Sequence, residues 1–293
     1  MFSAMVSSVP EGGGMALSIH PVSGSLGAEV HGVDLTSPVS DGLRTALVEA
    51  WHEHQVLFFR DQPLDGPRFL AFAALFGVPV PYPFVPGLAD HPEIIEVAKF
   101  PGETANFGGI WHSDTAYLDE PPRATTLIAR EVPPVGGDTL FADQYAAFEA
   151  LSPALQEVLA GLRAVNTSGL ADVSKTREDR RHDATEEGYD APCDDFEAVH
   201  PVVRTHPETG RRALYVNIAH TARFEGMTED ESRPVLGFLF AHQVRPEFTC
   251  RFRWEPDSIA LWDNRCVQHN PVNDYHGHRR VMHRITLAGD RPR

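Results

Sequence analysis

The 293-residue sequence lacks what a membrane span, a nucleic-acid surface or a disulfide framework would require. No apolar run approaches the roughly 18 residues needed to cross a bilayer. Cysteine is scarce: Cys193, Cys250 and Cys266 are odd in number and form no CxxC pair, so they read as reduced thiols in a cytoplasmic protein. Positive charge is in deficit, with 25 Lys and Arg against 41 Asp and Glu and a net charge of −16. Such a surface repels phosphate backbones and argues against nucleic acid as a partner. There is no GxGxxG loop, no internal repeat, and no basic start followed by an apolar stretch. MFSAMVSSVPEGGGM therefore reads as a flexible leader over residues 1–16, not as a signal peptide. Disorder throughout is excluded, because 42% of the residues are apolar, enough for one large core.

What is present is a succession of short strand-like runs with helices weighted toward the N-terminal half. LSIHPVSGSLGAEVHGVDL alternates apolar and polar residues between turn glycines. DGLRTALVEAWHEH (41–54) has helical apolar spacing behind a possible Asp41 cap, and PRFLAFAALFG predicts a second helix ending at Gly77. Between and after them, QVLFFRD, EIIEVAKF, TTLIAREV, VVRTH, ALYVNIAH, FTCRFRW, SIALWDN and RVMHRITLAG read as strands. The stretch from Trp111 reads as strand, loop, strand; residues 143–165 read as a helix, and a further helix lies near ESRPVLGFLFAHQ. Residues 166–198 are polar and dense in charge, an insertion that is either a passive surface loop or an active-site lid. Many strands, few helices and no phosphate loop predict a mainly β fold with flanking helices, in one domain over 17–293.

His112 and Asp114 stand two apart in IWHSDTAY, a spacing that in a strand turns both side chains to one face. An imidazole nitrogen and a carboxylate oxygen could then meet on one ion. His269 in WDNRCVQHN is the best third ligand, but His276, His278 and His283 compete, and spacing does not choose among them. Two His and one carboxylate leave the opposite side of a metal open, as iron(II) oxygenases require. Arg280 and Arg284, with Met282 between them, share one face of the strand read in RRVMHRIT. Two inward arginines are costly unless anions bind there. A keto acid chelating iron through one end would present its second carboxylate to such a guanidinium.

The stretches WHSD, PPVGGDTLF, HPVVRTHPETG, ALYVN, FLFAH, PEF, WDNRCVQHN and RRVMHR, with SLGAEVHGVDL and HQVLFFRDQ before them, resemble the taurine dioxygenase-like family of Fe(II)/2-oxoglutarate-dependent dioxygenases. The likeness runs from about residue 17 to the C-terminus and is weakest over 166–198. It implies a double-stranded β-helix core, a jelly roll of cupin type. It implies Fe(II) held by His112, Asp114 and His269, the catalytic metal site, with O2 and 2-oxoglutarate as co-substrates, the latter bound by Arg280 and Thr139. It implies a small anionic organic substrate met by Arg284, with Tyr82, Tyr117 and His220 as further substrate-binding positions, and a homo-oligomer, dimer or tetramer. Several positions depart from the taurine pattern: Tyr82 and Val85 stand where that enzyme has a His and a Tyr in the loop after its second helix, Gly108 where it has an Asn, and His220 replaces a pocket aromatic. A larger or less polar anion than taurine suits these changes. The alternatives are a zinc hydrolase or isomerase on the same barrel and a non-catalytic binding protein.

Overall fold

A computed structural model describes residues 16–106, 108–170 and 196–293. The expected leader, apart from Ala16, and the centre of the expected insertion (171–195, with Cys193) lie outside the described residues. The insertion's margins are structured: Asn166 and Thr167 end the strand Arg163–Thr167, which pairs antiparallel with Glu197–Pro201. The unassigned stretch is thus narrower at both ends than its charge density suggests.

Eight strands build the larger sheet. Its order is Ser18–Pro21, Ala28–His31, Val56–Phe59, Ile259–Asp263, Ala124–Glu131, Arg280–Leu287 and Pro79–Val80, with Ile94–Lys99 also paired to Arg280–Leu287. Pairing is antiparallel except between Ala28–His31 and Val56–Phe59. A smaller sheet, Thr249–Phe252, Thr139–Asp143 and Val267–Pro271, is antiparallel throughout. This is the mainly β, jelly-roll architecture the sequence implies.

Period-two alternation explains why the central strands read as unbroken apolar runs. In Val56–Phe59, Leu57 and Phe59 join one buried cluster while Val56 and Phe58 join another. Ile259–Asp263 divides likewise, with Ile259 and Leu261 on one side and Ala260 and Trp262 on the other. The first cluster is closed by the helices Asp41–His54 and Gly66–Ala74 through Leu47, Trp51, Phe69 and Phe72. The second lies between the two sheets, where Phe58 stacks on Phe252 with centroids 4.1 Å apart. A sheet buried on both faces has no polar side to show in its sequence. Each such large apolar side chain contributes roughly 1.5–3 kcal/mol by leaving water.

The helix boundaries differ from the sequence reading where capping decides them. Ser40, not Asp41, caps the first helix, its side chain accepting from the Leu43 amide. The second is capped by Asp65 and ends at Ala74, short of Gly77. Residues 143–165 form no single helix: Gln144–Glu149 and Pro153–Ala160 are separate, because Ser152 caps a new helix and Pro153 suits a first turn but not an interior. The helix Glu229–His242 starts from a capping box of Thr228 and Glu231. Among the described residues no helix is long and apolar enough to cross a membrane.

Candidate active site

The segment bearing His112 and Asp114 is not the strand that the two-residue spacing suggests. His112 is an isolated antiparallel bridge residue, paired with His269, and the chain turns at once after Asp114. Their backbones exchange two hydrogen bonds, His112 N to His269 O at 3.1 Å and the reverse at 2.8 Å. Residues paired in this way project to the same side, so the two imidazoles meet directly, ring centroids 4.2 Å apart. Thr115, with φ 41°, makes the sharp turn. That left-handed conformation is uncommon for a β-branched residue. Gly108 fits the same crowding: it has φ +68°, and a Cβ there would lie 2.9 Å from His112 Cε1. A side chain at 108 would push directly on this imidazole.

His112, Asp114 and His269 converge as a buried donor set with ligand atoms within 4.8 Å of one another. Asp114 Oδ1 lies 3.6 Å from His112 Nε2 and 3.9 Å from His269 Nε2. His112 Nδ1 is 2.6 Å from the Ile110 carbonyl, which only accepts. A ring proton therefore sits on Nδ1, and Nε2 is the ring nitrogen turned toward Asp114. The rival histidines are elsewhere: His276 and His278 are exposed, and His283 lies on the opposite face of its strand beside Arg130. Long-range pairing selects His269, which spacing could not.

Burial would push the Asp114 carboxyl up, but Arg284, then His269 and His112, hold it well below the usual carboxylate range. Burial, and after it His112, drive His269 well below the usual imidazole range. The cluster thus presents an ionised carboxylate and at least one neutral imidazole, the protonation a cation needs.

Arg280, Met282 and Arg284 do share the inward face of Arg280–Leu287, as the alternation predicts. Arg280 and Arg284 line a cavity, partly open to solvent, with His112, His269, Thr139 and Trp262. Arg280 is 6% exposed, forms no salt bridge among the described residues, and its Nε and Nη2 have no hydrogen-bond partner. Its guanidinium lies near the rings of Trp254 and Tyr275. Gly137, at φ +73°, lets the neighbouring turn approach closely: a Cβ there would stand 3.3 Å from Arg280 Cδ. Trp254 Nε1 donates to Thr139 Oγ1 at 3.0 Å. Arg284 Nη2 lies 3.0 Å from Asp114 Oδ1, a contact without hydrogen-bond geometry, and its guanidinium sits 5.0 Å from the Tyr82 ring centroid.

Tyr82, Tyr117 and His220 are not in the wall of that cavity but adjoin it. His220 meets His112 with ring centroids 6.0 Å apart and Tyr117 at 4.9 Å, while Tyr82 and Tyr117 belong to an aromatic cluster with Phe84. The sequence reading passed over Thr125, Trp254, Trp262 and Asn264. Polar residues within otherwise apolar strands, as in ATTLIA and IALWDN, were the available signal.

Residues 18–286 match the family model described as "Taurine catabolism dioxygenase TauD, TfdA family". The chain is similar to an alpha-ketoglutarate-dependent sulfate ester dioxygenase of Pseudomonas putida, 33% identical over 296 residues, with 100% of this chain and 95% of the relative covered. Among solved structures it resembles a taurine dioxygenase from Burkholderia xenovorans, with TM-score 0.78, 34% identity, and 94% of this chain and 90% of the other covered. It also resembles AAD-2 in complex with Mn(II) and N-oxalylglycine, with TM-score 0.76, 27% identity and coverage of 95% and 99%.

Proposed function

The chain belongs to the TauD, TfdA family, and on that premise we propose that His112, Asp114 and His269 hold its metal while Arg280 and Thr139 hold its keto acid. The protein is an Fe(II)- and 2-oxoglutarate-dependent dioxygenase that hydroxylates a C–H carbon of a small anionic organic substrate, giving succinate and CO2 as co-products. The observation that carries the residue assignment is the coincidence, in one cavity, of a buried His–Asp–His set and a buried guanidinium with unsatisfied donors. A lone buried cation is costly, and a bidentate carboxylate is the ligand its fork fits. A zinc hydrolase would leave that fork idle.

Bound Fe(II) supplies the site at which 2-oxoglutarate is oxidatively decarboxylated by O2 and the substrate carbon acquires oxygen. The residues set the geometry around it. His112, Asp114 and His269 would hold the ion, and a donor set of only three side chains would leave it positions for the keto acid and O2. Arg280 holds the remote carboxylate, with the Thr139 hydroxyl as a second donor, so that the keto-acid end meets the metal in one orientation. Arg284 takes the substrate's anionic head, a sulfonate, sulfate or carboxylate. Its position over the Tyr82 ring and its unpaired Nε support that role. Tyr82, Tyr117 and His220 border the substrate, and the aromatic cluster suits a body larger and less polar than taurine. Cytoplasmic residence is supported by Cys250 and Cys266, which are buried free thiols and not a disulfide. The charge of −16 speaks against nucleic acid.

Asp114→Ala should lower substrate-coupled succinate formation by at least about 10³-fold, the scale of losing a member of a catalytic set. The measurement is succinate release across a panel of sulfonates, alkyl sulfates and aryloxyalkanoates, after chelation and restoration with Fe(II). Unchanged turnover removes Asp114 from the site, and substrate cleavage without succinate release, restored by Zn(II) and not by Fe(II), favours the hydrolase.

A further inference from the structure

We infer that Thr125 and Asn264 are positioning residues for the metal, fixing which oxygen of Asp114 is offered to it. The inference rests on the reading of His112, Asp114 and His269 as the ligands. Thr125 Oγ1 lies 2.6 Å from Asp114 Oδ2, and Asn264 Nδ2 lies 2.9 Å from the same hydroxyl. Trp262 Nε1 is 3.0 Å from Asn264 Oδ1, and the Asp114 amide points to that oxygen at 3.4 Å. Thr125 and Trp262 are cross-strand partners, so strand register brings the chain together. Thr125 and Asn264 are fully buried, and Asp114 is 3% exposed.

The polarity of this chain has one solution. Indole N–H and backbone N–H only donate, so the Asn264 oxygen must face them and its amide nitrogen must face Thr125. The Thr125 oxygen then accepts from Asn264, and its own proton goes to the ionised Asp114. Asp114 Oδ2 is thereby capped, and Oδ1, on the side of both imidazoles, is left as a single ligand atom. A carboxylate free to rotate could bind through both oxygens and take up a position the keto acid or O2 needs. Thr125 prevents this, and Asn264 keeps the Thr125 proton pointed the right way.

The test is Mn(II) affinity, read from the electron paramagnetic resonance of the free ion during titration. Thr125→Val should weaken Mn(II) binding about 10- to 100-fold, the usual cost of losing an outer partner of a ligand. The melting temperature of the metal-free protein should stay near wild type. Thr125→Ser, which restores the hydroxyl, should return affinity to within about threefold. In an Asp114→Ala background, Thr125→Val should have no further effect, since the group it orients is gone. Unchanged affinity in Thr125→Val, or an equal loss with and without Asp114, overturns the inference. If Thr125→Val does not melt cooperatively, Thr125→Ala removes the same hydroxyl and decides by the same titration. Should Asp114→Ala itself leave Mn(II) affinity unaltered, the ligand assignment fails instead, a distinct outcome.

Discussion

Among the described residues, two buried carboxylates stand beside histidines in sets that could hold a metal ion, and only one is read as a metal site. Asp114 lies with His112 and His269; Asp263 lies with His206 and Cys266. What separates them is which oxygens are already committed. Asp263 Oδ1 accepts from the Arg265 amide at 3.0 Å and from Arg265 Nε at 2.8 Å. Its Oδ2 accepts from Arg265 Nη2 at 2.6 Å and lies 3.0 Å from His206 Nε2. Both oxygens are spent, the nearest charge is a guanidinium, and burial drives the Cys266 thiol far above its ordinary range. A cation there would have to displace an internal ion pair. Asp114 has one capped oxygen and one that faces two imidazoles and the cavity; Arg284 Nη2 lies 3.0 Å from that second oxygen but does not hydrogen-bond it, so it is not gripped as Asp263 is. Proximity of donors does not make a site; uncommitted acceptor capacity does.

The largest expected effect that sharpens this contrast is on stability. Asp263→Asn should cost about 3–5 kcal/mol, because it leaves Arg265 buried with a broken pair. Thermal melting should fall by on the order of 10 °C. The cost depends on pH in a definite sense. Burial alone would raise the Asp263 carboxyl, but Arg265 and His206 hold it far below the carboxylate range. A carboxyl lowered on folding stabilises above its unfolded value, about 3.9, and loses that contribution as pH falls further. The gap between wild type and Asp263→Asn should therefore be full at neutral pH and close below about pH 4. A gap that persists unchanged in acid would mean that charge is not what Asp263 contributes.

A smaller effect separates the clusters by ligand. Mn(II) at 100 times its dissociation constant should stabilise the wild type by about 2.7 kcal/mol through mass action. That increment should survive in Asp263→Asn, on a lower baseline, and vanish in Asp114→Ala. Thermal melts with and without Mn(II) measure it. The reverse pattern would exchange the roles of the two clusters.

The contrast also marks what the sequence could carry. Alternation put Arg280, Met282 and Arg284 on one inward face, because a strand's period is a local property. VLFF and IALW read as strands for the same reason, though nothing in them told which residues face the helices and which the second sheet. The choice of His269 over His283 needed the bridge between His112 and His269, a pairing across most of the chain. The His112–Asp114 spacing suggested convergence correctly but through the wrong backbone, since a tight turn, not a strand, brings Asp114 round. Ser40 and Ser152 outrank nearby acidic and apolar cues because a cap is decided by one hydrogen bond. Thr125 and Asn264 stood out in sequence only as polar residues in apolar runs, because their meaning is a hydrogen-bond polarity that exists only once the strands are in register. Arg265, two residues beyond Asp263 in sequence, showed nothing of its bidentate grip.

The smallest effect tests the same idea at the other end of the cavity, with donors in place of acceptors. Arg265 has partners at Nε, Nη1 and Nη2, while Arg280 has none at Nε and Nη2. Thr139 follows that pattern. Its oxygen accepts from Trp254 Nε1, which can only donate, so its hydroxyl proton is available to a carboxylate on Arg280. Thr139→Val should raise the KM for 2-oxoglutarate about 5- to 10-fold, the value of one ordinary hydrogen bond of about 1 kcal/mol, with little change in kcat at saturation. Trp254→Phe removes the bond that orients the hydroxyl while keeping an aromatic ring, so its effect through Thr139 should be weaker, and silent once Thr139 is Val. Steady-state kinetics in 2-oxoglutarate on the two single variants and the double one reads this directly. Additive penalties would mean that Trp254 acts by packing against Arg280 and not through Thr139. An unchanged KM in Thr139→Val would mean that the uncommitted proton is not aimed at the keto acid at all.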